Sequence, residues 1–114
     1  MTPTEFWERF IAWATPEMVR HSDYPDEKTA HNMLWSYLAM SSWMLPEMDE
    51  RQVFYGIATL YPYLMAAISA GVIDKKQIWP NKPRLIAWTP ERMGFARAGL
   101  HLVMELKQGT GVPN

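Results

Sequence analysis

The chain has 114 residues, a formal net charge of −1, 48% hydrophobic residues, 20% charged residues and no cysteine. This composition excludes a disordered chain, a disulfide framework and a thiolate metal site, and it predicts one domain with a sizeable core. The sequence does not open with a basic region followed by an apolar run, so no secretory signal is expected, and the lack of cysteine fits a cytoplasmic location.

Three short proline motifs indicate helix starts. The tripeptide Thr-Pro-Glu occurs at 15–17 and 89–91, and the variant Thr-Pro-Thr-Glu occupies 2–5. In each motif the threonine hydroxyl can cap a helix and the proline suits the first helical position. The carboxylate then lies near the positive end of the helix dipole. Helices are therefore predicted to begin directly after these three threonines.

Apolar periodicity and these caps predict an all-α, single-domain bundle of about five helices. No segment shows the sustained alternation of apolar and polar residues that is typical of a strand. The predicted helices span residues 3–14, 15–22, 26–45, 47–70 and 90–108. Residues 1–108 form the predicted domain, and residues 109–114 are expected to be a flexible tail.

The fourth predicted helix contains the uncharged stretch 53–73, which just reaches the roughly 20 residues needed to cross a bilayer. Pro62 interrupts this stretch, and glycine, threonine and serine dilute its apolar character. A kinked, largely buried central helix of a bundle is therefore expected, and no membrane span. Gly71 is its predicted left-handed end.

One group of side chains has the composition of a metal or catalytic site: His21, Asp23, Glu27 and His31. Imidazoles and carboxylates suit zinc or another divalent cation. Their spacing matches no established ligand pattern, and the helix dipole alone favours a carboxylate such as Glu27 near a helix start. The sequence also contains no P-loop, nucleophile elbow or dinucleotide fingerprint. The group is therefore a weak candidate, and no metal, cofactor or enzymatic activity is predicted.

The tyrosines offer a second possible site. They could line a small-molecule cavity around Pro62, but a tyrosine-rich core explains them as well and is the favoured interpretation. The five are Tyr24, Tyr37, Tyr55, Tyr61 and Tyr63.

The distribution of charge along the chain is the one uncommon feature. Residues 1–50 hold nine acids and three bases, whereas residues 51–114 hold eight bases and three acids. Between residues 75 and 97 there are six basic residues and a single acid, with three aromatic residues interleaved. Such a segment suits an anionic partner. Alternatively, the two halves of the chain pack together and their charges offset one another.

The segment 75–97 therefore supplies the predicted partner-binding residues. They are Lys75, Lys76, Trp79, Lys82, Arg84, Trp88, Arg92 and Arg97. Arginine and exposed tryptophan are the usual anchors of protein interfaces.

From these features we predict a small non-catalytic helical protein that binds a macromolecule, preferably another protein, as an inhibitor, immunity or adaptor protein. One alternative is a nucleic-acid-contacting protein that uses the same segment, although a dedicated module is usually basic overall. A less favoured alternative is an enzyme that uses the histidine and carboxylate group. If the basic segment is not the contact surface, an acidic surface would imply a basic partner; its residues are Glu5, Glu8, Glu17, Asp23 and Asp26.

Overall fold

The computed structural model describes residues 1–21, 23–44 and 60–109. These residues form four α-helices and two 3₁₀ turns, and no strand occurs among them, which confirms the all-α prediction. The helices are α1 (Pro3–Arg20), α2 (Glu27–Met44), α3 (Tyr61–Ser69) and α4 (Pro90–Gly109). The 3₁₀ turns, Lys75–Gln77 and Pro83–Leu85, both lie between α3 and α4.

The predicted start of α1 is confirmed. The hydroxyl of Thr2 accepts a hydrogen bond from the backbone N–H of Glu5 at 3.1 Å, and Pro3 opens the helix. The predicted apolar stripe is also buried; it comprises Phe6, Trp7, Phe10, Ile11 and Ala14.

The predicted break at Thr15 is wrong, because α1 continues through Pro16 as one helix. Thr15 is buried, and its hydroxyl donates to the carbonyl oxygen of Ile11 at 2.7 Å. One turn later Met18 is also buried. Burial of a methionine side chain stabilises by about 1.5–3 kcal/mol, which is comparable to the cost of a proline inside a helix. The two helices predicted for residues 3–22 are therefore one.

Helix α2 is the central helix of the described ranges. Asp26 caps it by accepting a hydrogen bond from the N–H of Thr29 at 2.7 Å, and this bond holds the pKa of Asp26 below its usual value. From Ala30 to Ala39 every residue except His31 and Tyr37 is buried. Its most extensive contact is with α4, followed by α1 and the second 3₁₀ turn.

Helix α4 approaches α2 very closely at Gly99. A Cβ atom placed on Gly99 would lie 2.1 Å from the backbone oxygen of Asn32 and 2.7 Å from Cβ of Ser36. Because no side chain fits in this space, glycine is required here for packing and not for backbone conformation.

Most of the predicted fourth helix cannot be compared, because residues 45–59 lie outside the described residues. In the part that is described, Pro62 occupies the first turn of α3, where its missing N–H costs no helical hydrogen bond. The predicted kink is not confirmed. Only one face of α3 is buried, through Leu64 and Ala67, while Tyr61 and Met65 are exposed. The predicted central position of this helix is not confirmed either; within the described ranges the most extensive contacts are those of α2.

The predicted end of α3 is confirmed. Gly71 has a φ of 74°, and the N–H of Val72 donates to the carbonyl oxygen of Ala67 at 2.9 Å. Among the described helices, none is both long enough and apolar enough to span a membrane. Residues 110–114, which make up nearly all of the predicted tail, are outside the described residues.

The close contact at Gly99 predicts a strong effect of one added methyl group. Gly99→Ala should lower the free energy of unfolding by at least about 1–3 kcal/mol, because the methyl group collides with backbone atoms that cannot move independently. Gly94→Ala is the matched control, since a Cβ at this exposed position of the same helix meets nothing within 4 Å. It should stabilise by up to about 1 kcal/mol through helix propensity. Urea unfolding of both variants gives the comparison. Equal changes in the free energy of unfolding would contradict the close contact at Gly99.

A second prediction follows from the continuity of α1 through Pro16. Pro16→Ala should raise the free energy of unfolding by on the order of 1–2 kcal/mol, because it restores a helical hydrogen bond. Part of this gain is offset, since alanine no longer restricts the conformations of the unfolded chain as proline does. Pro3→Ala, at the first position of the same helix, should change stability little. If a helix began after Thr15, the two substitutions would have similar effects on thermal unfolding.

Candidate functional site

Two regions of the surface bring together the side chains that the sequence singles out. The first is the connection, defined as residues 70–89 between α3 and α4. The second is the cleft, a space between α1, α2 and the start of α4.

The connection is fixed to α1 although little of it is helical. The indole N–H of the fully buried Trp7 donates to the carbonyl oxygen of Asn81, and the N–H of Ala87 donates to the hydroxyl of Thr4 at 2.7 Å. Asn81 is itself buried, and its side-chain amide donates to the carbonyl oxygen of Gln77 at 2.8 Å. The irregular backbone of the connection is therefore held in place by hydrogen bonds to the first two turns of α1.

The outward side of the connection is basic. Lys75, Lys76 and Arg84 are exposed, and Lys82 is half-buried. Leu85 follows Arg84 directly in the chain and is 55% exposed, so the second 3₁₀ turn presents one apolar and one basic residue to solvent. Sequence reasoning missed Leu85, because nothing in the pattern Arg-Leu-Ile shows which of the two aliphatic residues faces the core.

The tryptophans of the connection face inward instead. Trp79 and Trp88 are both partly buried and pack against the hydrophobic core. The Trp88 ring stands edge-on to Trp35 of α2, with 5.8 Å between the ring centroids. Arg97, by contrast, is exposed on α4 beyond the connection. The eight predicted residues are thus divided between the outer side of the connection, the core side of the connection, α4 and the cleft.

The cleft has a volume of about 710 Å³. Its polar lining residues are Glu8 of α1, His31 of α2, and Glu91 and Arg92 at the start of α4, where Thr89 caps the helix. The half-buried rings of Phe95 and His31 line it, and the buried Trp35 forms part of its floor. The sequence missed this site, because its walls come from three helices that are far apart along the chain.

Arg92 is already engaged within the protein. Its guanidinium forms an ion pair with Glu8, donates to the carbonyl oxygen of Ala87 at 3.1 Å, and lies 5.7 Å from the centroid of the Trp35 ring. The side chain is only 22% exposed. Arg92 therefore links α1, the connection and α2, whereas the sequence predicted it as an anchor for a partner.

His31 stands in the cleft as a neutral base. Its Nε2 accepts a hydrogen bond from the indole N–H of Trp35 at 3.2 Å, which places the proton on Nδ1. Its ring is edge-on to Phe95, with centroids 4.8 Å apart. Burial lowers the pKa of His31, and the nearby Glu91 carboxylate opposes that shift only in part.

The predicted metal group is brought together only in part, since His21 and Asp23 line one cavity near Pro62 whereas His31 lines the cleft. His21 lies 3.5 Å from the carboxylate of Glu17, Asp23 accepts a hydrogen bond from Tyr63, and His31 lies in the cleft. No group of three or more histidine, aspartate or glutamate side chains in the described ranges is arranged to hold a metal ion.

The tyrosines are partly core residues. The hydroxyls of Tyr24 and Tyr37 form a hydrogen bond at 3.2 Å. Burial, together with this bond, raises the pKa of Tyr24. Near Pro62 there is a smaller cavity of about 280 Å³, but Tyr63 is the only tyrosine among its described lining residues. Tyr55 lies outside the described residues.

Comparison of the chain with protein-family models, curated protein sequences and solved structures finds no match.

The lowered pKa of His31 predicts a pH-dependent stability. The folded protein favours the neutral imidazole, so this stabilisation is complete above the unfolded pKa of about 6.5 and is lost as the pH falls toward the folded pKa. The charged groups that face His31 across the cleft are Glu8, Glu91 and Arg92.

His31→Gln keeps a hydrogen-bond acceptor but cannot titrate. Its free energy of unfolding should therefore fall less than that of the wild type between pH 7.5 and pH 5.5. Urea unfolding at both values provides the measurement. If the free energy of unfolding falls equally in the two proteins, His31 is not the source of the pH dependence.

Proposed function

We propose that this chain is a non-catalytic binding protein and that the outward side of the connection contacts an acidic protein. The observation that carries this proposal is an exposed leucine among exposed basic side chains on a segment that hydrogen bonds fix to α1. An inhibitor, immunity or adaptor protein of the cytoplasm would have this form.

A fixed connection favours tight binding. Ordering a flexible loop or side chain opposes association, and a segment that is already ordered avoids part of that cost. Arg84 is exposed and the planar geometry of a guanidinium suits a carboxylate, while the exposed Leu85, next in the chain, adds apolar area that a partner can bury. The adjacent lysines extend the positive potential and would speed the encounter with an acidic surface.

The inward position of the tryptophans argues against a nucleic-acid partner. Proteins that bind single strands stack bases on exposed aromatic rings. Trp79 and Trp88 pack against the core, and the chain carries a net charge of −1. The enzymatic alternative has less support, since His31 lies in the cleft, away from the cavity that His21 and Asp23 line.

Capture of a partner from native lysate tests the proposal. The double variant Arg84→Glu, Leu85→Ser should retain at least about tenfold less of any protein that the wild type captures, since a true anchor contributes on the order of 2 kcal/mol. Lys28→Glu, which reverses an exposed charge on the first turn of α2, is the matched control and should retain the partner.

Nuclease treatment separates the two classes of partner. A protein partner should stay bound after treatment, and the chain should not retard a mixed-sequence DNA or RNA at moderate salt. If the double variant captures the partner as well as the wild type does, the connection is not the contact surface. If capture is lost on nuclease treatment, the protein-partner assignment is wrong.

A further inference from the structure

We propose that the cleft is a binding site for a small organic ammonium ion attached to an apolar body. This site is separate from the outward side of the connection, and it uses different side chains. The proposal stands on the charges of the cleft, its aromatic surface and its size.

The charges of the cleft leave one carboxylate outside any ion pair. Glu8 and Arg92 form an ion pair and offset one another. Glu91 is exposed, and its carboxylate has no ion-pair partner in the part of the chain that the structure describes. His31 adds no positive charge when it is neutral, so the cleft carries a net charge of −1 and attracts a cation.

The aromatic surface suits the same ligand. Cations bind favourably over the faces of aromatic rings within about 6 Å of the ring centroid. Trp35 is buried and the guanidinium of Arg92 lies over it at 5.7 Å, so this ring already interacts with a positive charge within the protein. The ring surface that the cleft offers to an ammonium group or its apolar body comes from the half-buried Phe95 and His31, whose centroids are 4.8 Å apart.

The donors of the cleft are less suited to an anion. The guanidinium of Arg92 pairs with Glu8 and donates to the carbonyl oxygen of Ala87. The hydroxyl of Thr89 accepts a hydrogen bond from the backbone N–H of Arg92. An anion would therefore have to compete with Glu8 for the guanidinium. The volume of about 710 Å³ lies within the range of small-molecule sites, which is about 300–1,000 Å³.

Three probes of nearly equal size and different charge test the proposal: benzylamine, benzyl alcohol and benzoate. In ¹H–¹⁵N spectra of the full chain at pH 7.5, benzylamine should cause saturable shifts of the Trp35 indole and of the Glu91 and Phe95 amides. Benzyl alcohol should bind at least about fivefold more weakly, and benzoate more weakly still, because each lacks the attraction to Glu91.

Substitutions then locate the site. Glu91→Gln should weaken benzylamine binding at least about fivefold and leave benzyl alcohol binding unchanged. Glu5→Gln, at an exposed carboxylate on the first turn of α1, is the matched control and should change neither. Phe95→Leu, which keeps the apolar volume without the ring, should also weaken benzylamine.

Three results would overturn the proposal: tighter binding of benzoate, an unchanged benzylamine affinity in Glu91→Gln, or no saturable shift with benzylamine. These experiments do not involve Arg84 or Leu85, so either proposal can fail without the other.

Discussion

At Gly99 the backbone of α4 passes the carbonyl oxygen of Asn32 so closely that no side chain could stand between them. This contact sets the separation of the two helices that share the largest interface of the described fold. Phe95 lies one turn before Gly99 on α4, and it meets His31, which directly precedes Asn32 on α2. The shape of the cleft therefore depends on a position where glycine is the only residue that fits.

The connection depends on hydrogen bonds to the first two turns of α1. Its backbone forms only single 3₁₀ turns, which cannot satisfy all of its polar groups internally. Trp7 and Thr4 of α1 supply the missing partners for Asn81 and Ala87, which lie more than seventy residues further along the chain. Because Trp7 is fully buried, the anchoring of the connection is coupled to the packing of the core.

Arg92 shows how the two regions share one side chain. It binds a carbonyl of the connection, pairs with Glu8 of α1 and lies over Trp35 of α2. A positive charge held in this way stabilises the fold and at the same time cancels one of the two acids of the cleft. The remaining acid, Glu91, sets the charge that a ligand would meet.

Local signals in the sequence determined the parts of this protein that depend on neighbouring residues alone. The cap at Thr2 and the left-handed end at Gly71 follow from side chains and backbone within a few positions, and both are present. The apolar stripe of α1 is likewise fixed by helical spacing.

Tertiary packing alone decided the rest. The same tripeptide caps a helix at Thr89 but lies inside one at Thr15, where burial of Thr15 and Met18 against the core offsets the cost of Pro16 within the helix. Which tryptophans of segment 75–97 face the core, and which acid pairs with Arg92, depends on residues that are distant in sequence and adjacent only after folding. A charge map read along the chain located the basic segment, but it could not show that Glu8 would neutralise one of its arginines, since that pairing joins the first helix to the last.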